Sequence, residues 1–265
     1  MDQIQILERL IAIRADGKAV ALCTVISSEG STPRHSGSKM LVLADGSFTG
    51  SVGGGEMEHL VLEHALNALK DGKPRRVTYN LVDPERGDPG VCGGMVEVYV
   101  EPFLPEPTLV VVGGGHVGKA VAHLGKWLGF RVAVSDDRPE FCTPEANPDA
   151  DAFYPVPLSE LSDHLTITSQ TFLVLTTRGV SVDVDGLPAL LESQAGYIGV
   201  IGSKRRWATA LKQLREQGVP DGRLARVHSP IGLELKAETP EEIAVSILAE
   251  IIMLRNGGTG KSMKN

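Results

Sequence analysis

The chain has 265 residues, 42% of them hydrophobic and 22% charged, which is typical of a globular protein of one or two domains. A net charge of −7 argues against nucleic acid or an anionic membrane as the main partner, because both favour clustered lysine and arginine. No apolar run approaches the roughly 18 residues of a membrane span. The acidic N-terminal segment does not resemble a signal peptide, so we expect a cytoplasmic protein.

The first hundred residues predict a small α+β domain. Apolar residues at helical spacing indicate a helix over Ile4–Arg14. The Asp45–Gly46 pair is typical of a hairpin turn between two strands. The other predicted elements are strands at Val20–Ser27, Lys39–Leu43, Ser47–Val52, Val77–Val82 and Met95–Val100, and a helix at Met57–Leu69.

Three glycine-bearing loops of this domain are candidates for ligand binding. The first, Ser27–Lys39, combines hydroxyl residues with Arg34 and can present hydrogen-bond donors to an anion. The second, Gly50–His59, places three glycines before a helix, where free N–H groups attract phosphate. The third, Gly87–Met95, carries Cys92 between small residues. A surface turn, a helix cap and a small buried thiol are the structural alternatives for the three loops.

The three cysteines are too few and too scattered for a disulfide framework or a zinc site. Cys23 lies inside an apolar strand and is interpreted as a core residue, and Cys142 as a neutral filler in a loop. Cys92 is the cysteine in a glycine-rich, accessible setting, and it is the candidate for metal contact because thiolate is a soft ligand.

A proline-rich segment divides the chain. Three prolines within Glu101–Thr108 predict a stiff, extended linker. The predicted division is an N-terminal domain at 1–102, a linker at 103–107, a second domain at 108–255 and a flexible tail at 256–265.

The second domain opens with a dinucleotide-type fingerprint. A buried strand over Leu109–Val112 is followed by a glycine-rich turn, a helix to about Leu128 and a second strand at Arg131–Ser135. Further strands near Phe172–Thr176, Tyr197–Ile201 and Ala225–Val227 alternate with helices near Leu187–Ser193, Arg205–Gln217 and Pro240–Leu254. The predicted fold class is therefore α/β, with the α+β domain followed by a Rossmann-like, doubly wound parallel sheet. The fingerprint glycines are Gly113, Gly115 and Gly118.

Charged and polar residues follow the predicted strands of this sheet. Asp136 and Asp137 lie where a ribose diol would bind, which favours NAD over NADP. His116 begins the helix after the glycines, where it either contacts a phosphate or remains solvated. Arg178 is either an anion clamp or a partner of Asp183 or Asp185, and Ser203 opens a further anion-binding helix terminus.

Six segments of the sequence resemble, in order, the XdhC/CoxI family of xanthine dehydrogenase accessory proteins. They are EGSTPRHSGSKMLV, DGSFTGSVGGGEMEH, GVCGGMVEVYVEP, VVVGGGHVGKAVAHLGKWLGFRVAVSDDRPEF, YIGVIGSKRR and HSPIGLELKAETPEEIAVSILAEI. The resemblance implies a protein that binds molybdenum cofactor, supports its sulfuration and delivers it to an apo molybdenum hydroxylase, acting as a chaperone more than as a turnover enzyme. A cysteine desulfurase and a second copy of the chain are the other expected partners.

The candidate cofactor-binding residues are distributed over both predicted domains, and Cys92 is also the candidate metal ligand. They are Gly30, Ser31, Thr32, Arg34, Gly53, Gly54, Gly55, Glu56, Cys92, Gly93, Gly113, Gly115, His116, Gly118, Asp136, Asp137, Arg178 and Ser203.

The chain departs from the family pattern at two places. Glu56 stands where many relatives carry a cysteine, and Val180 and Val182 stand where relatives often carry histidine. Whether the Rossmann half binds NAD, NADP, AMP or nothing stays open. An NAD(P)-dependent oxidoreductase and a nucleotide-sensing regulatory module are the alternative functions.

Overall fold

The computed structural model describes residues 3–82 and 92–264, so part of the third glycine loop, residues 87–91, lies outside the described residues. The chain forms two compact units, Met1–Pro105 and Glu106–Asn265. Strand β5 runs to Phe103, so the first residue of the predicted linker belongs to a strand.

The first unit is an antiparallel sheet with a helix on each face. Its elements are α1 (Gln3–Ala15), β1 (Val20–Glu29), β2 (Lys39–Leu43), β3 (Phe48–Gly50), α2 (Gly55–Asp71), β4 (Arg75–Leu81) and β5 (Gly94–Phe103), in the strand order β3-β2-β1-β5-β4. The hairpin predicted at Asp45–Gly46 joins β2 to β3 and is confirmed.

Strand alternation sends neighbouring residues of β1 to opposite faces of this sheet. Leu22 packs with Leu10 of α1 in one apolar cluster. Cys23 packs with Met57 and Val61 of α2 in the other. The sheet therefore has two buried faces, and its ligand-accessible positions lie in the loops and at the ends of the strands.

The second unit is a parallel sheet covered by helices on both faces. Its strands and longer helices are β6 (Thr108–Val112), α3 (His116–Trp127), β7 (Arg131–Ser135), β8 (Ala152–Tyr154), β9 (Thr171–Leu175), α5 (Val180–Glu192), β10 (Tyr197–Val200), α6 (Lys204–Glu216), β11 (Val227–His228) and α8 (Pro240–Asn256). Two one-turn helices complete it, α4 (Leu161–His164) and α7 (Asp221–Leu224). The strand order is β11-β10-β9-β6-β7-β8.

The order of these strands reverses between β6 and β9, both of which are almost entirely buried. Helices α3 and α8 cover one face, and α5 and α6 cover the other. Ligands of doubly wound sheets bind outside the carboxyl ends of the strands at such a reversal. The predicted fold class is confirmed. In the described residues no helix is both long and apolar enough to cross a membrane.

Two predicted elements were wrong in their bounds. Helix α5 begins at Val180, not near Leu187. The strand predicted at Ala225–Val227 lies at Val227–His228, because α7 occupies the preceding residues and Ala225 is its C-cap.

Candidate functional site

The structure brings the three glycine loops of the first unit into contact. A Cβ atom added to Gly30 would lie 3.1 Å from the carbonyl oxygen of Gly93, and one added to Gly94 would collide with the carbonyl of Ser31. A Cβ on Gly53 would lie 3.2 Å from Cγ of Pro33. The first loop therefore packs against both of the others, and glycine is needed where the backbones meet. We call this arrangement the three-loop cluster.

Helix α2 begins at this cluster without a side-chain cap. Its N-cap residue, Gly54, has φ of 84°, and Gly55 has φ of 64°. No heavy atom lies within 4 Å of a Cβ built on either glycine. Glu56 in the first turn is exposed. The first N–H groups of α2 thus face open space, which is the arrangement that binds phosphate or another anion at a helix start.

The three thiols have different surroundings. Cys23 is completely buried, and burial raises the pKa of its thiol to about 12. The Cys142 thiol is buried, donates to the carbonyl oxygen of Val134 at 3.3 Å and also has a raised pKa because of burial. Cys92 is exposed. The interpretation of Cys23 as a core residue is confirmed, Cys142 is also buried, and Cys92 alone of the three is accessible for chemistry that requires a thiolate.

Cys92 does not lie in a preformed metal cluster of the described residues. Within 3–82 and 92–264, no group of three or more histidine, cysteine, aspartate and glutamate side chains is placed to hold a metal ion.

The fingerprint glycines of the second unit have separate roles. A Cβ on Gly113, whose φ is 103°, would lie 2.7 Å from the carbonyl oxygen of Thr176, and one on Gly118 would collide with the carbonyl of Gly113. A Cβ on Gly115 would meet nothing within 4 Å. Gly113 and Gly118 thus allow close packing, whereas Gly115 leaves room at the N-terminus of α3, beside the exposed His116.

Asp136, at the end of β7, is engaged inside the protein. Its carboxylate accepts hydrogen bonds from the backbone N–H of Gly114 (2.9 Å) and from the backbone N–H, Nε and Nη2 of Arg138 (3.0, 2.9 and 2.9 Å). A carboxylate offers about four lone-pair sites, so these four hydrogen bonds occupy all of its acceptor positions. Asp136 could bind a ribose only by giving up one of them, a constraint that the sequence did not reveal.

Asp137 forms a two-point ion pair with Arg178, with oxygen–nitrogen distances of 2.5 and 2.8 Å. The guanidinium holds the pKa of the Asp137 carboxyl below its usual range. The partners predicted for Arg178, Asp183 and Asp185, were wrong, because the carboxyl ends of β7 and β9 bring residues 41 positions apart together. The pair lines a cleft with Val112 and Val182.

Asp183 is instead completely buried and belongs to a separate network. Its carboxylate accepts from Arg206 Nη2 at 2.7 Å and from the Thr177 hydroxyl. Ser203 caps α6 by accepting a hydrogen bond from the N–H of Arg206 at 3.2 Å. Arg206 therefore links the first turn of α6 to Asp183.

Asn147 is a supporting residue that sequence reasoning missed. It is 1% exposed, and its side-chain nitrogen donates to the carbonyl oxygens of Gly114 (3.2 Å) and Phe141 (2.8 Å). It fixes the glycine turn from a loop about thirty residues away in sequence. No local pattern around Asn147 signals this contact.

These features define a class: a two-unit protein with a glycine-loop cluster on an antiparallel sheet and a Rossmann-type second unit. The chain belongs to the XdhC and CoxI family. Residues 13–80 match the description "XdhC and CoxI family", and residues 109–251 match "XdhC Rossmann domain". The resemblance predicted from the sequence is confirmed.

The curated relatives include proteins named for molybdenum enzymes. YqeB of Escherichia coli is 38% identical over 92% of this chain and 45% of the relative. A protein of Bacillus subtilis named as a probable xanthine dehydrogenase subunit is 32% identical over 60% of this chain and 46% of the relative. The molybdenum cofactor insertion chaperone PaoD of E. coli is 24% identical over 96% of this chain and 89% of the relative. The chain spans about half the length of the first two relatives.

A solved structure supports the same fold. A crystal structure of a xanthine dehydrogenase from Bacillus halodurans superposes with a TM-score of 0.51 at 24% identity, over 99% of this chain and 98% of the other.

Proposed function

We propose that the protein is an accessory factor for molybdenum enzymes, which binds molybdenum cofactor, supports its sulfuration and inserts it into a xanthine dehydrogenase-type hydroxylase. The observation that carries this proposal is the three-loop cluster, where an uncapped helix start and glycine backbones meet in one small unit that also carries the exposed Cys92. The names of PaoD and the B. subtilis relative support a role beside a molybdenum enzyme.

The residues of the cluster suit this cargo. Molybdenum cofactor is an anionic pterin that holds its metal through two sulfur atoms and ends in a phosphate. Cys92 supplies a soft thiolate for the metal end, and Gly54 and Gly55 leave space for an anion at the start of α2. The hydroxyls of Ser31 and Thr32 add polar contacts on the facing loop. Glu56 is a hard ligand, so Cys92 takes the metal-facing role in this chain.

The proposed partners follow from the steps of delivery. The receiving protein is an apo molybdenum hydroxylase, and sulfuration requires a sulfur source, for which we propose a cysteine desulfurase. The three free thiols fit a reducing compartment such as the cytoplasm. Trp127 is 78% exposed at the end of α3, and Ile252 is exposed on the adjacent α8. We propose that these exposed apolar side chains form part of a homodimer interface, which sedimentation of the wild type and Trp127→Ser would measure.

For the second unit we propose a nucleotide phosphate at Gly115 and His116, at the start of α3. NAD is one candidate. Because Asp136 has no spare acceptor capacity, the ribose would be bound by Asp137 after its separation from Arg178. NADP and AMP offer the same phosphate chemistry, and calorimetry with each nucleotide separates them. Turnover of a substrate with NAD would instead favour the oxidoreductase alternative.

Titration of the full chain with isolated molybdenum cofactor tests whether the protein binds this cofactor. Wild type should bind it saturably. Cys92→Ser should retain less cofactor while its melting temperature stays within a few degrees, because the thiol is exposed. Cys142→Ser is the matched control, since it removes a buried thiol and should affect stability without affecting retention. Absence of saturable binding by folded wild type would refute the proposal.

A further inference from the structure

A polar cavity opens in the first unit, on the face of the sheet that α1 covers. Its volume is about 380 Å³, within the range of roughly 300–1,000 Å³ seen for small-molecule sites. Lys39 lies two residues before Leu41, which packs against α1, so strand alternation places the lysine on the same face. The lining residues are Gln3, Ile6, Arg34, Ser38, Lys39, Gly50 and Ser51.

The charges in this cavity are all of one sign. None of its described lining residues is a carboxylate. The only described contact of Lys39 Nζ is the Thr24 hydroxyl at 3.3 Å, and Arg34 has no ion pair with a described residue. Arg75 and Arg76 of the same unit, by contrast, each pair with a carboxylate. Two cations that share a cavity without a counterion favour the binding of an anion there.

The polar groups around these cations can donate hydrogen bonds. The Ser51 oxygen accepts a hydrogen bond from the N–H of Gly53 at 3.3 Å, which leaves its hydroxyl hydrogen to donate. The N–H of Ser51 donates to the carbonyl oxygen of Lys39 at 3.0 Å and fixes the two backbones together. Gly50 has φ of 89°, and a Cβ there would collide with the Lys39 carbonyl. The lining is thus a rigid set of donors, which suits an acceptor-rich ligand such as phosphate.

Residues of the cavity lie close along the chain to residues of the three-loop cluster. Arg34 directly follows Pro33, which contacts Gly53. Ser51 precedes Gly53 by two residues, a separation of at most about 7 Å along an extended chain. A ligand of the size of a phosphorylated pterin could therefore reach from one to the other.

We propose that this cavity is a binding site for a phosphate monoester, with Arg34 and Lys39 as its cationic ligands and the hydroxyls of Ser38 and Ser51 as further donors. It takes the phosphate end of a ligand whose other end lies at the three-loop cluster. The identity of that ligand as molybdenum cofactor rests on the proposed function, whereas the phosphate chemistry of the cavity does not.

The first experiment uses inorganic phosphate and pyrophosphate as probes, with the full chain. Calorimetry and the rise in melting temperature with added anion should both report binding to wild type. Arg34→Gln and Lys39→Gln should each weaken binding about tenfold or more, as expected for loss of a charge-assisted hydrogen bond. Lys70→Gln removes an exposed cation of α2 and should leave binding unchanged. Circular dichroism verifies that each variant is folded.

The outcomes distinguish the proposed phosphate site in the cavity from the proposed binding of molybdenum cofactor. If neither anion binds folded wild type, or if Lys70→Gln weakens binding as much as Arg34→Gln, the phosphate site is refuted. If pyrophosphate binds as expected but isolated molybdenum cofactor does not, the site stands and the proposed function fails. If the cofactor binds wild type and Arg34→Gln equally well, the proposed function stands and the assignment of its phosphate to this cavity is wrong.

Discussion

The two units differ in whether the charged residues beside their glycine loops form ion pairs. In the second unit three arginines near the carboxyl ends of the strands are paired with acids: Arg138 with Asp136, Arg178 with Asp137 and Arg206 with Asp183. In the first unit, Arg34 and Lys39 share a cavity without a described carboxylate, and the Cys92 thiol is exposed.

This difference distinguishes structural charges from charges available to a ligand. A guanidinium already held by two points on a carboxylate must lose those bonds before it binds phosphate, which offsets much of the gain. An unpaired cation has no such cost. The cavity of the first unit is therefore prepared for an anionic ligand, whereas Arg138, Arg178 and Arg206 of the Rossmann unit are already held by carboxylates. Three substitutions in the second unit test how much its ion pairs and fingerprint glycines contribute to stability.

The largest expected effect is the loss of the buried ion pair of α5. Asp183→Ala should lower the free energy of unfolding by about 3–5 kcal/mol, because it leaves the Arg206 guanidinium without its carboxylate partner. Urea denaturation followed by circular dichroism measures this. Asp185→Ala on the same helix is the control, since Asp185 is exposed, and it should change stability by less than about 0.5 kcal/mol. Equal effects would show that the pair is not a structural element.

Local patterns predicted much of this architecture. The helix near Pro240–Leu254, the hairpin at Asp45–Gly46 and the glycine turn before α3 each depend on residues close in sequence, and all are present. The predicted helix begins near Leu187, just after Gly186, whereas α5 runs from Val180 through Gly186, a residue that disfavours helices. A Cβ on Gly186 would collide with Leu158, so the glycine serves close packing that overrides propensity.

The sequence predicted the individual loops of the candidate site but not the contacts between them. The sequence identified the three glycine loops and Cys92 as candidates, but it could not show that Gly53 and Pro33 meet or that Lys39 faces the α1 side. The pairing of Arg178 with Asp137 likewise depends on the register of parallel strands. Such contacts are set by tertiary structure, which no local spacing encodes.

Substitution of the fingerprint glycines should have an intermediate effect on the free energy of unfolding. Gly118→Ala places a methyl group against the carbonyl of Gly113 and should cost about 1–3 kcal/mol, the usual cost of overpacking. Gly115→Ala enters open space and should cost less, about 0.5–1 kcal/mol, because alanine is a poorer N-cap residue than glycine. Thermal unfolding of the two variants in parallel measures the contrast. A larger loss for Gly115→Ala would mean that the space at α3 is not free for a ligand.

The smallest effect concerns the exposed pair of Asp137 and Arg178, and it bears on what the second unit binds. Because Arg178 lowers the folded-state pKa of Asp137, the pair stabilises the fold above the unfolded pKa of about 3.9. That contribution is lost as the pH falls through the lower folded value. Arg178→Gln should raise the pKa of Asp137 and change the stability only slightly at neutral pH, since the pair is solvent-exposed. NMR titration of the Asp137 carboxyl measures the shift, and Arg205→Gln, which removes an exposed neighbouring charge, should leave it nearly unchanged.

The same variant decides which aspartate serves a ribose. Arg178→Gln frees the Asp137 carboxylate while Asp136 stays bonded to Gly114 and Arg138. If Asp137 binds the ribose of NAD, calorimetry should show tighter binding by the variant, because the ion pair no longer competes with the hydroxyl groups. Unchanged affinity for NAD would place the ribose elsewhere, and weaker affinity would make Arg178 itself a ligand for the nucleotide.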